Sequence, residues 1–78
     1  MILLRYTQTE EGYTLHLDGD PSKSVKVKTD PVRDYLNTSP YTLVRMTMVI
    51  TGKPFPEVEK EGVRVLYPDG TVAMDTTV

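Results

Sequence analysis

The most reactive side chains of the chain lie close together around His16. His16 is the only histidine, and the carboxylates of Asp18 and Asp20 follow it at intervals of two residues. A histidine beside a carboxylate can shuttle a proton or bind a metal ion. A metal site would need further ligands, however, and the chain has no cysteine and no second histidine to supply them. We therefore expect His16 to be a solvent-facing residue of a strand.

The sequence Asp18-Gly19-Asp20 is typical of the start of a calcium-binding loop. Such a loop requires a bidentate glutamate at its twelfth position, which is Thr29 when counted from Asp18. The Asp, Gly and Pro content of this stretch instead predicts a tight turn without a metal. The chain also lacks a Gly-rich phosphate loop and a nucleophile motif. We predict a protein that is not an enzyme and has no cofactor.

A second arrangement of polar residues is basic. Arg5, Lys26 and Lys28 could project from one face of a sheet. Tyr6 or Tyr13 could lie nearby as a platform on which a base stacks. Single-strand nucleic-acid-binding proteins of the OB and cold-shock types combine a basic groove with aromatic rings in this way. Because acidic residues flank the same strands and the net charge is −2, nucleic-acid binding is the alternative hypothesis.

The sharpest apolar motif is Pro54-Phe55-Pro56, an aromatic residue between two prolines. Each proline fixes its own φ and restricts the residue before it, so we expect this segment to be rigid and extended. An aromatic side chain held in this way can anchor a contact at low entropic cost. We predict that Pro54, Phe55 and Pro56, together with Tyr41 and Tyr67, bind another protein. The competing interpretation is that Phe55 closes one end of the core.

The composition limits the size of that core. A chain of 78 residues, of which 38% are hydrophobic, allows a single small domain over residues 1–78. Its core should supply only a few kcal/mol of stability, so a bound partner or a homo-oligomer would be a natural source of more. No apolar run approaches the ~18 residues of a membrane span, and we expect a cytoplasmic protein that does not associate with membranes.

Period-two alternation predicts the strands that would position these residues. Three alternating segments separated by short polar turns predict an antiparallel meander, and two more around Pro68-Asp69-Gly70 predict a hairpin. Leu15, Leu17, Val25 and Val27 are expected on the core side. The alternating segments are residues 1–9, 13–17, 24–28, 63–67 and 71–74.

The residues between these two groups of strands give mixed signals. Asp30 as N-cap and Pro31 as first helical residue predict a short helix from Pro31 to Asn37 or Thr38. Residues 57–62 are charged and are expected to form a loop or a single helical turn.

The longest apolar run, residues 41–51, has apolar side chains at every second position, which predicts a central β-strand. The alternative is a helix, since Ser39 could cap it, Pro40 could begin it and Gly52 could end it.

The predicted fold is therefore α+β, a small antiparallel sheet of five or six strands. A β-meander is followed by one short α-helix and then by strands that end in a hairpin. For function we hypothesise a non-enzymatic binding protein that docks on another protein as an inhibitor, adaptor or assembly factor. Single-stranded nucleic-acid binding through Arg5, Lys26 and Lys28 is the alternative. Self-assembly through a free strand edge is a second alternative.

Overall fold

The computed structural model describes residues 1–33 and 40–76. In these residues five strands form one sheet with the spatial order β3-β2-β1-β4-β5. Three helical segments, one of them short, lie between β3 and β4 in the chain, so the predicted α+β class is confirmed. The strands are β1 (Ile2–Thr9), β2 (Gly12–Leu17), β3 (Asp20–Val27), β4 (Val63–Leu66) and β5 (Val72–Asp75). The helices are α1 (residues 31–33), α2 (Pro40–Thr51) and α3 (Phe55–Glu61).

The sheet is mostly antiparallel and has β1 at its centre. The predicted meander is confirmed, since β1 pairs with β2 and β2 pairs with β3, both antiparallel. The predicted hairpin around Pro68-Asp69-Gly70 is confirmed as β4 and β5. On its other side, β1 pairs with β4 in parallel, whereas the predicted sheet was antiparallel throughout. A parallel pair needs a long crossover connection, and the segment that contains α2 and α3 provides it.

One face of the sheet carries the core. Ile2, Leu4 and Tyr6 of β1 are buried on this covered face, whereas Leu3 and Arg5 alternate with them on the opposite face. All three helical segments contribute buried residues to the same cluster, so they pack on the covered face. On the uncovered face, none of the described side chains is buried. The core consists of Ile2, Leu4, Tyr6, Leu15, Val32, Leu43, Ile50, Val58, Val63, Val65 and Met74.

The prediction of a central strand at residues 41–51 is wrong, because this stretch is helix α2. Leu43, Thr47 and Ile50 are its buried residues, and their spacing of four and three is helical rather than alternating. The hydroxyl of Thr47 donates a hydrogen bond to the Leu43 carbonyl oxygen at 2.8 Å, which satisfies this buried polar group inside the helix. Gly52, at φ 74°, follows the last turn, and its N–H bonds to the Met48 carbonyl at 2.8 Å. The proline and glycine signals of the helical alternative were therefore the informative ones.

The prediction of an extended Pro54-Phe55-Pro56 segment is wrong beyond its first residue. Pro54 is extended, at φ −73° and ψ 162°, but it is the N-cap of α3, and Phe55 is the first helical residue. The missing N–H of Pro56 removes no helical hydrogen bond at the second position. The stretch predicted as a loop or a single turn, residues 57–62, is instead the rest of this seven-residue helix as far as Glu61, followed by its C-cap Gly62. The fully buried Val58 fixes the helix to the core.

Asp30 caps the short helix as predicted. Its Oδ1 atom accepts hydrogen bonds from the backbone N–H groups of Val32, at 3.0 Å, and Arg33, at 3.2 Å. The cap places Val32 in the core. The predicted continuation of this helix to Asn37 or Thr38 lies outside the described residues.

Candidate functional site

Phe55 and Tyr41 lie side by side on the surface. Their ring centroids are 6.0 Å apart and the ring planes are inclined at 48°. Tyr41 is in the first turn of α2, where its side chain is 56% exposed, and Phe55 begins α3 and is 38% exposed. Of the five residues predicted to contact a partner, these two aromatic residues are brought together by the packing of α2 against α3.

A groove of about 370 Å³ opens beside the two rings. Its apolar interior includes Val58 and Val63, which are buried in the core, and Val44 of α2, which is partly buried. Tyr41 and Phe55 are the most exposed apolar residues that line it. We call this surface the aromatic groove, and it is lined by Tyr41, Val44, Phe55, Val58, Glu59, Val63 and Thr76.

The charge beside the aromatic groove is negative. Helix α3 carries three glutamates, of which Glu57 and Glu59 are exposed, and its only basic residue is Lys60. The third, Glu61, lies 2.6 Å from the amino group of Lys53, and this hydrogen bond holds the pKa of Glu61 below its ordinary value. Glu61 is therefore partly neutralised, whereas the exposed carboxylate of Glu59 lines the groove beside its apolar interior.

The outer side of α2 is unusually apolar. Arg45 is the only charged residue between Pro40 and Thr51, and Val49 is 74% exposed. The outer side of a surface helix normally carries several charged residues, so packing on the sheet does not account for Val49. Along the β3 side of α2 lies a second groove, of about 260 Å³, which we call the edge groove. It is lined by Val25, Tyr41, Thr42, Arg45, Met46 and Val49.

Pro54 and Pro56 flank Phe55 and are exposed, but neither lines the aromatic groove. Their contribution is to hold the start of α3, and with it the backbone of Phe55. Tyr67 lies apart from the groove. Its ring packs edge-on against Tyr6 at a centroid distance of 5.8 Å. Tyr67 follows the last residue of β4, whereas Val63, which lines the groove, is the first. The five predicted residues are thus divided between two places.

Tyr6 is the buried member of this second aromatic cluster, and its ring also stacks on Tyr13 at 5.6 Å. Burial raises the pKa of Tyr6 from 10.0 to about 12, and a hydrogen bond with the Asp30 side chain contributes to the rise. The folded protein therefore holds the phenolic proton more tightly than the unfolded chain does.

We expect stability to fall as the pH rises from about 10 to about 12. Below this window Tyr6 is protonated in both states, and within it the unfolded chain releases the proton first, which favours unfolding. Two pKa units correspond to at most about 2.7 kcal/mol. Urea denaturation on either side of pH 10 measures the loss. The variant Tyr6→Phe should abolish most of this pH dependence, and Tyr67→Phe should retain it. If Tyr6→Phe and wild type lose stability equally, this assignment is wrong.

The residues predicted for nucleic-acid binding lie on or next to the uncovered face. Arg5 is on β1 and Lys26 is on β3, with β2 between them, and Lys28 follows β3. The Arg5 guanidinium donates to Asp18 Oδ1 at 2.9 and 3.2 Å and to the carbonyl oxygen of Pro68 at 3.1 Å. Tyr6 and Tyr13, the expected stacking platform, are on the covered face. Within the described part of the chain, no tyrosine or phenylalanine ring shares a face with Arg5 and Lys26, and His16, which pairs with Arg5, is the one aromatic ring beside them.

His16 is partly buried on the uncovered face. Its Nδ1 atom lies 3.0 Å from the Leu17 carbonyl oxygen, which can only accept, so this contact requires the proton on Nδ1. Asp18 is paired with Arg5, while Asp20 accepts the hydroxyl proton of Ser22 at 2.5 Å. That bond holds the pKa of Asp20 below its ordinary value. Residues 1–33 and 40–76, which the structure describes, contain no cluster of three or more His, Asp or Glu side chains able to hold a metal ion.

Val44 and Val49 were not predicted as residues that line a surface groove, and Glu59 was not predicted as part of the site. The strand interpretation placed Val44 on a buried face, and residues 57–62 were given no role. The helical spacing of Leu43, Thr47 and Ile50 was the signal that would have placed Val49 on the solvent side.

Comparison of the chain with protein-family models, with curated proteins and with solved structures gives no match. Among the described residues, none of the helices has the length and the apolar character needed to cross a membrane.

Proposed function

We propose that the protein acts without catalysis, by docking on another protein through the aromatic groove. The observation that carries the proposal is the pair of exposed rings, Tyr41 and Phe55, beside an apolar interior that reaches the core. Aromatic anchors dominate many protein interfaces because they bury a large area and lose few rotamers on binding. Phe55 is especially well suited because the prolines on either side restrict its backbone before a partner arrives.

The groove favours a partner segment of particular chemistry. Its interior takes apolar side chains, and its lining includes the exposed carboxylate of Glu59. A segment with large apolar residues next to a lysine or arginine satisfies both features. Docking of such a segment would bury the rings and pair the Glu59 carboxylate. We therefore commit to a basic, apolar segment of another protein as the occupant.

Catalysis has no place in the proposal because the groove offers little chemistry. Its lining contains one carboxylate, Glu59, with no histidine, lysine or cysteine beside it to form an acid–base or nucleophile–base pair. The other polar groups of the lining are the hydroxyls of Tyr41 and Thr76, and Thr76 already accepts the backbone N–H of Val63, so few polar groups remain to orient a small-molecule substrate. The groove thus suits a side chain of another protein better than a substrate.

We expect Phe55→Ala to weaken binding of the partner by more than about 1 kcal/mol, or about fivefold in affinity, because it removes a central anchor. The measurement is the amount of each lysate protein that the immobilised variant retains relative to wild type. Val72→Ala is the matched control, since Val72 is an exposed apolar residue on β5, away from the groove. Both variants should keep the unfolding midpoint close to that of wild type.

Two results would argue against this assignment. If Phe55→Ala unfolds the protein, Phe55 belongs to the core rather than to a docking surface. If Phe55→Ala and Val72→Ala retain the same proteins in the same amounts, the groove does not make the contact. The remaining possible occupant of the groove is a second copy of this chain. In that case sedimentation of wild type over a range of concentrations shows a dimer, and Phe55→Ala dissociates it.

A further inference from the structure

Strand β3 forms one edge of the sheet and is largely uncovered. It pairs with β2 on one side, and no strand of residues 1–33 and 40–76 pairs with its other side. It is eight residues long, and most of its residues are exposed. Such an edge presents backbone N–H and C=O groups that can pair with an added strand. Pro21 lacks an N–H, so the usable part of the edge begins after it.

The edge groove runs beside this strand, between β3 and α2. Val25 forms its β3 wall, and Met46 and Val49 contribute apolar surface from α2. Successive side chains of a strand point to opposite faces of its sheet. A strand added at the edge of β3 would therefore direct every second side chain towards the edge groove, where the exposed Val49 offers contact area. Strand addition beside a helix combines backbone pairing with side-chain pockets in this way.

The charge along this edge is positive. Between Pro21 and Lys28 the sequence contains three lysines, all exposed, and no acidic residue. Arg45 adds a further positive charge where it lines the edge groove. The carboxylates near this edge belong to Asp20, which begins β3 beside Lys23, and to Glu10 and Glu11, which share a depression with Lys26 and Lys28. From Pro21 to Lys28 the only charged side chains of the edge itself are basic, and these complement the acidic side chains of an added strand.

We propose that the edge of β3 binds an extended, acidic segment of a partner protein as a sixth strand of the sheet. Apolar residues of the segment enter the edge groove beside Val25, and the alternating acidic residues face Lys26 and Lys28. This site goes beyond the aromatic groove, with which it shares Tyr41 alone. The two surfaces also differ in the sign of their charge, since the aromatic groove favours a basic segment and the edge favours an acidic one.

The probe is a short synthetic peptide of alternating valine and glutamate, titrated into the full-length, isotope-labelled protein and followed by backbone amide NMR. We expect the largest shifts and new protection from hydrogen exchange between Ser22 and Val27. Two control peptides separate strand addition from simple charge attraction. One replaces each glutamate with lysine, and the other is N-methylated at alternate backbone amides so that it cannot pair with a strand.

The double variant Lys26→Glu with Lys28→Glu should weaken binding of the acidic peptide by about tenfold or more. Lys60→Glu, a charge reversal on α3, should not change it. The proposal is overturned if the acidic peptide does not bind, if the lysine peptide binds equally well, or if N-methylation has no effect. It is also overturned if the shifts fall on α3 instead of β3. Phe55→Ala should leave binding of the acidic peptide intact. A failure of the strand-addition proposal can therefore be distinguished from a failure of the proposal that the aromatic groove docks a partner.

Discussion

Leu4→Ala is expected to lower the free energy of unfolding by about 2–5 kcal/mol. Leu4 is fully buried on β1, the central strand, and its side chain belongs to the core on the covered face. Alanine would leave a cavity there, in addition to the lost burial of the leucine side chain. Because a domain of this size has only about 3–5 kcal/mol of stability in total, the variant should be largely unfolded.

The next residue provides a matched control. Leu3 is on the same strand but on the uncovered face, and it is 37% exposed, against 0% for Leu4. Leu3→Ala should therefore lower the free energy of unfolding by about 1 kcal/mol, well below the loss for Leu4→Ala. Guanidinium denaturation followed by circular dichroism measures both variants. Equal losses for the two would contradict a sheet covered on one face only, and with it the placement of the helices and both grooves.

Gly12→Ala is expected to destabilise the protein by about 2–4 kcal/mol. Gly12 begins β2 at φ 148°, and a Cβ atom on it would lie 2.4 Å from the carbonyl oxygen of Val27. That atom belongs to the backbone of β3, so it can move only if the end of the β2–β3 pair opens. A second effect should follow, because opening this pair displaces the edge of β3. The variant should also bind the acidic peptide more weakly.

Gly19→Ala separates the steric clash from the backbone preference. Gly19 also has a positive φ, of 86°, but a Cβ atom on it would have no neighbour within 4 Å. We expect this variant to lose only the conformational term, about 1–2 kcal/mol. Thermal unfolding of both variants under the same conditions provides the comparison. If Gly19→Ala destabilises the protein as much as Gly12→Ala does, the close approach of β3 is not the reason that position 12 requires a glycine.

The strands and the class of the fold were predictable because their signals are local. In β1 the alternation that sets Leu4 and Tyr6 apart from Arg5 and Thr7 has one simple interpretation, and the turns that follow contain glycine. Residues 41–51 were ambiguous because nearly every position is apolar or β-branched, so alternation and helical periodicity both fit. The parallel pairing of β1 with β4 was beyond local patterns, since it depends on how the helices carry the chain across the sheet.

The site was predictable one residue at a time but not as a surface. Phe55 was predicted to contact a partner because of its flanking prolines, and Tyr41 because of its residue type. Their contact depends on how α2 packs against α3, and this could not be foreseen while α2 was interpreted as a strand. Tyr67 was grouped with them on residue type alone, whereas β4 carries it to Tyr6. The edge groove was missed for the same reason, because one of its walls is helix α2.

The two grooves divide the surface by charge. The carboxylate of Glu59 on α3 lines the aromatic groove, and the lysines of β3 lie along the edge, with Tyr41 between the two. A single partner that carries a basic and an acidic segment could occupy both. The variants Phe55→Ala and Lys26→Glu with Lys28→Glu test the two contacts independently, since they lie on separate elements.

The most direct test of the central claim, that the aromatic groove docks another protein, is photo-crosslinking in nuclease-treated lysate of the native cell. A benzophenone side chain replaces Glu59 at the groove, and in a control protein it replaces Thr14 on the uncovered face. We predict that position 59 crosslinks to one protein, through a basic and apolar segment of that protein. The crosslink should disappear when Phe55→Ala is added, and it should not form from position 14. Crosslinks from position 14 alone, or a crosslink from position 59 that Phe55→Ala does not diminish, would contradict the account.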